Sequence, residues 1–207
     1  MAYDGDDTRR RIFVAASAEF AEHGLAGARV DRIATAAQAN KQAIYLYYGN
    51  KEKLFAIVLQ AKLEEICNCV SIELDAVAES VGQLFDLYQQ HPQMLRLLLW
   101  EALEGGDELD ESEPDRRADM RTKIRHLVDD SSANRHSTGT RLRATQDLMF
   151  TIMALVSWNF AVPRMCRIVL DEETDQAALT RRRETVIETA RALAAAHNAA
   201  TTAPSVR

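Results

Sequence analysis

The chain has 207 residues, 47% of them hydrophobic and 27% charged, with a formal net charge of −6. That length allows one or two domains with a buried core needing neither disulfide nor metal, and the apolar content excludes disorder along the whole chain. With 8 Gly and 4 Pro the sequence is too poor in turn residues for a strand-dense protein, and its Ala, Leu, Arg and Glu favour helices, so the expected class is all-α.

No run approaches the roughly 20 apolar residues that cross a bilayer. The opening Met1-Ala2-Tyr3-Asp4-Gly5-Asp6-Asp7 is acidic where a secretory signal is basic and then apolar. A cytoplasmic protein without membrane association is expected. Cys67, Cys69 and Cys166, an odd number, suit reduced thiols.

The acidic balance at first argues against a nucleic-acid partner, because phosphate binding is driven by Lys and Arg releasing counterions. Its distribution says otherwise. Residues 8 to 55 carry eight Lys or Arg against four acids, and residues 56 to 207 carry 17 against 24. A small basic module on an acidic body is implied.

Along the chain, Ile12, Ala16 and Phe20, with Ala15 beside them, set one apolar stripe on a helix from Thr8 to His23, and Gly24 fits its C-terminal cap. A second helix of two turns is expected from Val30 to Ala37, with Val30, Ile33, Ala34 and Ala37 on one face. Gln38-Ala39-Asn40 connects it to a third, Lys41 to Tyr48, for which Asn40 is the N-cap. Gly49-Asn50 ends that helix, and Asn50 can cap a long amphipathic one from Lys51, carried by Leu54, Phe55, Val58, Leu59, Leu63, Ile66 and Val70. Further helices are expected at 77–90, 93–104, 115–130, 140–162 and 172–197, with solvated loops at 107–113 and 131–139 and a disordered tail over 199–207. Pro92 divides the first pair.

Two short helices joined by three residues, flanked by longer ones, make the plan of a helix-turn-helix. Ile44 and Tyr48 sit four apart and can bury against Ile33, Ala34 and Phe20, which leaves Lys41, Gln42 and Tyr45 outward. Lys41 can donate to guanine and Gln42 can pair bidentately with adenine. Tyr45 can pack on a thymine methyl or bond a phosphate, and Ala43 allows close approach. Tyr47, Lys51 and the amides after Asn50 suit phosphates, which fix register without reading bases. Arg9, Arg10 and Arg11 are open to phosphate contact or to simple solvation.

The run Thr8-Arg9-Arg10-Arg11-Ile12, Ala15-Ala16, Phe20, Gly24, Val30, Ile33-Ala34, Ala37 and Ile44-Tyr45-Leu46-Tyr47-Tyr48-Gly49-Asn50-Lys51-Glu52-Lys53-Leu54 closely resembles the DNA-binding domain of TetR-type (tetracycline-repressor-like) transcriptional regulators. The resemblance implies three N-terminal DNA-binding helices, a long fourth helix, and a variable C-terminal helical domain that dimerises and holds an effector. It implies a helix-turn-helix DNA-binding domain over 1–52 and an effector and dimerisation domain over 53–198. Three positions depart from the family pattern: Arg29 replaces a capping Ser or Thr and offers a phosphate contact, Gln38 replaces a turn Gly, and Tyr48 replaces Phe, so its hydroxyl needs a partner.

In the second domain, core packing accounts for most of the Met and aromatic residues. The expected effector lining draws on Cys67, Met94, Trp100, Glu101, Met120, Phe150, Met153 and Asn159, with Glu101 or Asn159 as polar anchors for an apolar or amphipathic guest. The expected dimer surface pairs Leu148, Ile152, Leu155 and Val156 of one helix with Val186, Ile187, Ala190, Leu193 and Ala194 of another in a four-helix bundle. His91, His126 and His136 are expected at the surface. Cys67 and Cys69, two apart, point about 200° from one another on a helix, so neither a metal site nor a cofactor is expected, and a sensory thiol role stays open. No catalytic motif is present.

These readings converge on a homodimeric, ligand-responsive transcriptional regulator that is not an enzyme. It is expected to be a repressor released from palindromic double-stranded operator DNA by a small-molecule effector, acting in the cytoplasm at the bacterial nucleoid. The alternative is a helical DNA-binding or interaction protein with no effector.

Overall fold

The computed structural model describes residues 2–70, 73, 75–105, 113–129 and 138–202, which contain helices and no strand. The helices form two compact units. The first holds α1 (Ala2–Gly27), α2 (Val30–Ala36), α3 (Lys41–Tyr48), α4 (Lys51–Cys69) and α6 (Pro92–Glu104). The second holds α5 (Val77–Gln90), α7 (Glu113–Asp129), α8 (Thr138–Ala161), α9 (Pro163–Leu170) and α10 (Gln176–Thr202). No single helix among the described residues is long and apolar enough to cross a membrane.

In the first unit Ile12, Ala16 and Phe20 of α1 are fully buried together with Ile33, Ile44, Leu54, Val58 and Leu97. Each of these side chains larger than alanine contributes about 1.5–3 kcal/mol by leaving water. Phe20 and Phe55 meet edge to face, ring centroids 5.2 Å apart. The unit extends beyond the expected 1–52 because the apolar faces of α4 and α6 are buried against α1.

α1 starts before Thr8, and in the added stretch Asp7 pairs with Arg10 at 2.8 Å and Arg11 at 3.0 Å. It also does not stop at Gly24. That glycine breaks the helix at φ 68°, ψ −175°, and one more turn follows to Gly27. A Cβ there would lie 2.7 Å from both the Trp100 ring and a Glu104 carboxylate oxygen, so only glycine fits.

In the second unit Val77, Val81, Leu84, Phe85 and Tyr88 of α5 are buried at helical spacing, and Phe85 meets Phe160 edge to face at 4.8 Å. α8 adds Leu148, Ile152 and Val156, and α10 adds Val186, Ala190 and Ala194. Arg183 donates two hydrogen bonds to Asp86, at 2.8 and 2.9 Å, across Gly82, where a Cβ would come within 2.6 Å of the guanidinium.

α9 was not expected from the sequence, although Pro163 at its first position is a helix-start signal. Asp171, left-handed at φ 50°, ends it. α10 runs on to Thr202, through the first residues of the expected tail. Of the expected loops, Glu113 opens α7 and Thr138 and Gly139 open α8, while 107–112 and 131–137 lie outside the described residues, as do His136 and 203–207.

Candidate nucleic-acid interface

Local chemistry at each end makes α3 a separate, rigid helix. Asn40 accepts the amide of Ala43 at 2.7 Å, and Gly49, at φ 82°, closes the last turn through its amide to the Tyr45 carbonyl at 2.9 Å. Asn50 repeats the device for α4, accepting from the Lys53 amide at 2.7 Å. Gln38, standing where a turn glycine was expected, takes the same left-handed region at φ 51°. Arg11 holds that turn by donating to the carbonyl of Ala37 at 3.0 Å, so its guanidinium serves the fold.

Ile44 and Tyr48 are buried, and the Tyr48 hydroxyl finds its partner in the Arg9 carbonyl at 2.9 Å. Burial pushes this phenol above its ordinary pKa. The Arg9 guanidinium stands 5.8 Å from the same ring. Lys41, Gln42 and Tyr45 are exposed, and Ala43 and Tyr47 are half-buried. The Tyr47 hydroxyl lies beside Gly5, where a Cβ would come within 3.3 Å of it.

Sequence reasoning passed over Leu46, which is 79% exposed on the same face. The signal was available: on a helix Leu46 stands nearly opposite the buried pair, and an apolar side chain there suits a thymine methyl. Lys41 is ion-paired with Asp31 of α2.

Two other expected phosphate contacts also have bonds within the chain. Lys51 donates to the Ala28 carbonyl at 3.4 Å, and Arg29 gives its amide to Glu19 at 2.8 Å while its side chain stays exposed. Arg29 occupies the N-cap position of α2, but its side chain makes no capping hydrogen bond. Burial alone would raise the Glu19 pKa, but hydrogen bonds from the Arg32 side chain and the Arg29 amide outweigh it and lower the carboxyl below its ordinary value.

The expected effector residues are divided between the units. Cys67, Met94, Trp100 and Glu101 lie in the first, where Met94 is buried and Trp100 and Glu101 border a cavity of about 180 Å³ with Phe55 and Leu59. Met120, Phe150, Met153 and Asn159 lie in the second. Asn159 reaches a groove of about 480 Å³ lined also by Leu155, Trp158, Met165, Val169 and Thr185. Its amide nitrogen donates back to the Leu155 carbonyl at 2.8 Å. Phe150 is 75% exposed and Met120 and Met153 are half-buried, and none of the three lines this groove.

The expected dimer surface needs correction. Leu148, Ile152, Val156, Val186, Ala190 and Ala194 are buried inside the second unit, where α5, α8 and α10 pack on one another. Leu155, Ile187 and Leu193 remain half-buried. Among the described residues of the second unit, the large apolar side chains left exposed are instead Phe150, Trp158, Met165, Ile168, Val169 and Leu170. Among the described residues no three His, Cys, Asp or Glu side chains are grouped to hold a metal.

The fold and this interface define a helix-turn-helix protein with a second helical unit. Comparison with known proteins agrees. Residues 12–58 match the family model of bacterial regulatory proteins, tetR family, and residues 76–192 match the tetracyclin repressor-like C-terminal domain. The chain is 41% identical over 169 residues to HTH-type transcriptional repressor SCO4008 of Streptomyces coelicolor, covering 82% of this chain and 86% of that one. It is 35% identical over 112 residues to HTH-type transcriptional repressor NicS of Pseudomonas putida, covering 51% and 53%. Among solved structures, the putative transcriptional regulator SCO4942 from Streptomyces coelicolor superposes with a TM-score of 0.72 at 27% identity, covering 90% of this chain and 97% of that one. The chain belongs to the TetR family of transcriptional regulators, DNA-binding proteins that are not enzymes.

Proposed function

We propose that the chain is a homodimeric repressor that reads a palindromic operator with α3 of each copy and leaves it when a small apolar or amphipathic effector occupies the second unit. The observation that carries the reading is α3 itself: a helix capped at both ends, anchored by Ile44 and Tyr48, presenting Gln42, Tyr45 and Leu46 together. Gln42 and Leu46 read base edges, Tyr45 reads a thymine methyl or grips a phosphate, and Lys41 exchanges Asp31 for DNA. Arg29, Asn40, Ala43, Tyr47 and Lys51 complete the contact set in this reading. The two repressors among the relatives support the sign of regulation.

A second copy covers the exposed apolar face of α8 and α9 centred on Leu155, Trp158 and Val169, which sets two recognition helices one turn of DNA, about 34–36 Å, or a multiple apart. An effector coupled to this equilibrium by about 1–3 kcal/mol changes operator affinity 5- to 150-fold. The protein acts in the cytoplasm, at the nucleoid.

Selection of duplexes from a random library by the full-length protein tests the reading, followed by genome-wide binding with and without a metabolite panel. A two-fold symmetric consensus and steep salt dependence are expected. Failure to enrich any duplex overturns it, and enrichment that no metabolite alters favours a DNA-binding protein without an effector.

A further inference from the structure

The junction between α1 and α2 is held from three sides. Glu19 of α1 accepts the amide of Arg29 at 2.8 Å, and Lys51 of α4 donates to the carbonyl of Ala28 at 3.4 Å. Both are local to the helix-turn-helix. The third hold comes from the last turn of α6. Glu104 Oε2 accepts the amides of Leu25 at 2.5 Å and Ala26 at 3.0 Å, and the Trp100 indole N–H donates to the Ala21 carbonyl at 3.2 Å.

These bonds straddle the break at Gly24. A helix that restarts after a break exposes new amides, and here one carboxylate caps two of them. The indole takes up a carbonyl that the break releases. Gly24 is left-handed, and both α6 side chains occupy the space that any Cβ there would need. Three features of two segments 79 residues apart therefore fit one joint.

α2 gives the joint its importance. It has seven residues, no side-chain N-cap, and buries only Ile33 and Ala34. So short a helix does not fix its own direction, and the segment that leads into it must do so. α3 in turn follows α2 through a three-residue turn.

We propose that Glu104 and Trp100 are positioning residues for DNA binding: from α6 they seat the broken end of α1 and so set the attitude at which α2 and α3 meet the duplex. Neither touches DNA. The inference rests on the DNA-binding reading above.

The test uses full-length protein and a duplex that the wild type has selected from a random library. Affinity is measured by fluorescence anisotropy and corrected for the folded fraction. Glu104→Ala is expected to weaken binding about tenfold, the scale of a charge-assisted hydrogen bond, without changing the salt slope, because no phosphate contact is lost. Glu104→Gln keeps an acceptor oxygen and is expected to stay within about threefold of wild type, since the neutral acceptor forms a weaker bond. Trp100→Phe, which keeps a ring against Gly24 and removes only the indole donor, is expected to fall between them. Amide exchange at Leu25 and Ala26 is expected to accelerate in Glu104→Ala and recover in Glu104→Gln. Val58→Ala opens the core of the same unit at a residue that takes no part in the bonds at the break, and it separates a structural from a positioning role: it lowers stability and keeps affinity per folded molecule.

Glu104→Ala with wild-type affinity per folded molecule, or Val58→Ala with an equal loss of affinity, overturns this inference alone. A wild type that selects no duplex overturns the DNA-binding reading and this inference with it.

Discussion

α3 and α9 each have eight residues, too few to persist alone in water, and the chain uses them in opposite ways. α3 buries Ile44 and Tyr48 in its own unit and turns Gln42, Tyr45 and Leu46 outward. α9 buries no side chain and turns Met165, Ile168, Val169 and Leu170 outward, with Trp158 of α8 exposed beside its groove. A short helix is stable only where its apolar side is covered. α3 has its cover within the chain and is free to face a polar partner, whereas the apolar side of α9 calls for cover from another molecule, which we propose is a second copy.

The largest expected effect tests the covered side of this contrast. Ile44→Ala, which empties a fully buried site, should cost about 2–5 kcal/mol in urea denaturation and abolish operator binding under conditions where the variant is unfolded. A loss under about 1 kcal/mol would mean that α3 is not anchored by this core. The next tests the uncovered side. Val169→Asp places a charge on an exposed face, so the isolated chain should keep its helix content by circular dichroism. If a second copy covers that face, the desolvated charge should weaken the dimer about 100-fold in sedimentation velocity. An unchanged dimer would remove α9 from the interface.

The contrast also explains what could be read in advance. The periodicity of Ile12, Ala16 and Phe20, the caps Asn40 and Asn50, and the pair Ile44 and Tyr48 are local signals, and they placed α3 at its observed bounds. α5 was equally legible, since one strong apolar face settles both its register and its bounds. Dimer residues were not. Ile152 and Ala190 carry the same apolar pattern whether they face a neighbouring helix or a second molecule, and only the packing of α5, α8 and α10 tells the two apart. Gly24 was read as a simple cap because the side chains that force it into a break, Trp100 and Glu104, come from far along the chain. The effector residues divided between two units for the same reason: flexible and aromatic types mark interiors without saying which interior.

A smaller effect separates the outward residues of α3. Gln42→Ala should lose about 1–3 kcal/mol on the selected operator and relax preference at one base pair, if its amide pairs bidentately there. Leu46→Ala removes only apolar contact with a methyl group and should lose about 1 kcal/mol. Both should leave the slope of log affinity against log salt unchanged, because neither neutralises a phosphate. Equal loss on every sequence, with a shallower slope, would move them from base reading to backbone contact.

The smallest effect concerns the turns that bound the two helices. Gln38 precedes α3 at φ 51° and Asp171 ends α9 at φ 50°, the two non-glycine residues with positive φ among those described. A left-handed residue with a Cβ costs about 1–2 kcal/mol, but Asp reduces this through its short polar side chain and Gln does not. Glycine removes the strain and adds back about 0.5–1 kcal/mol of chain entropy. Gln38→Gly should therefore stabilise the protein by about 0.5 kcal/mol, while Asp171→Gly should be neutral or slightly destabilising. The order of the two values matters more than either alone, and denaturant midpoints measured side by side decide it. If Asp171→Gly gains more than Gln38→Gly, the side chain at 38 does not bear the strain that its backbone angle implies, and the Arg11 bond to the Ala37 carbonyl has already relaxed the turn before α3.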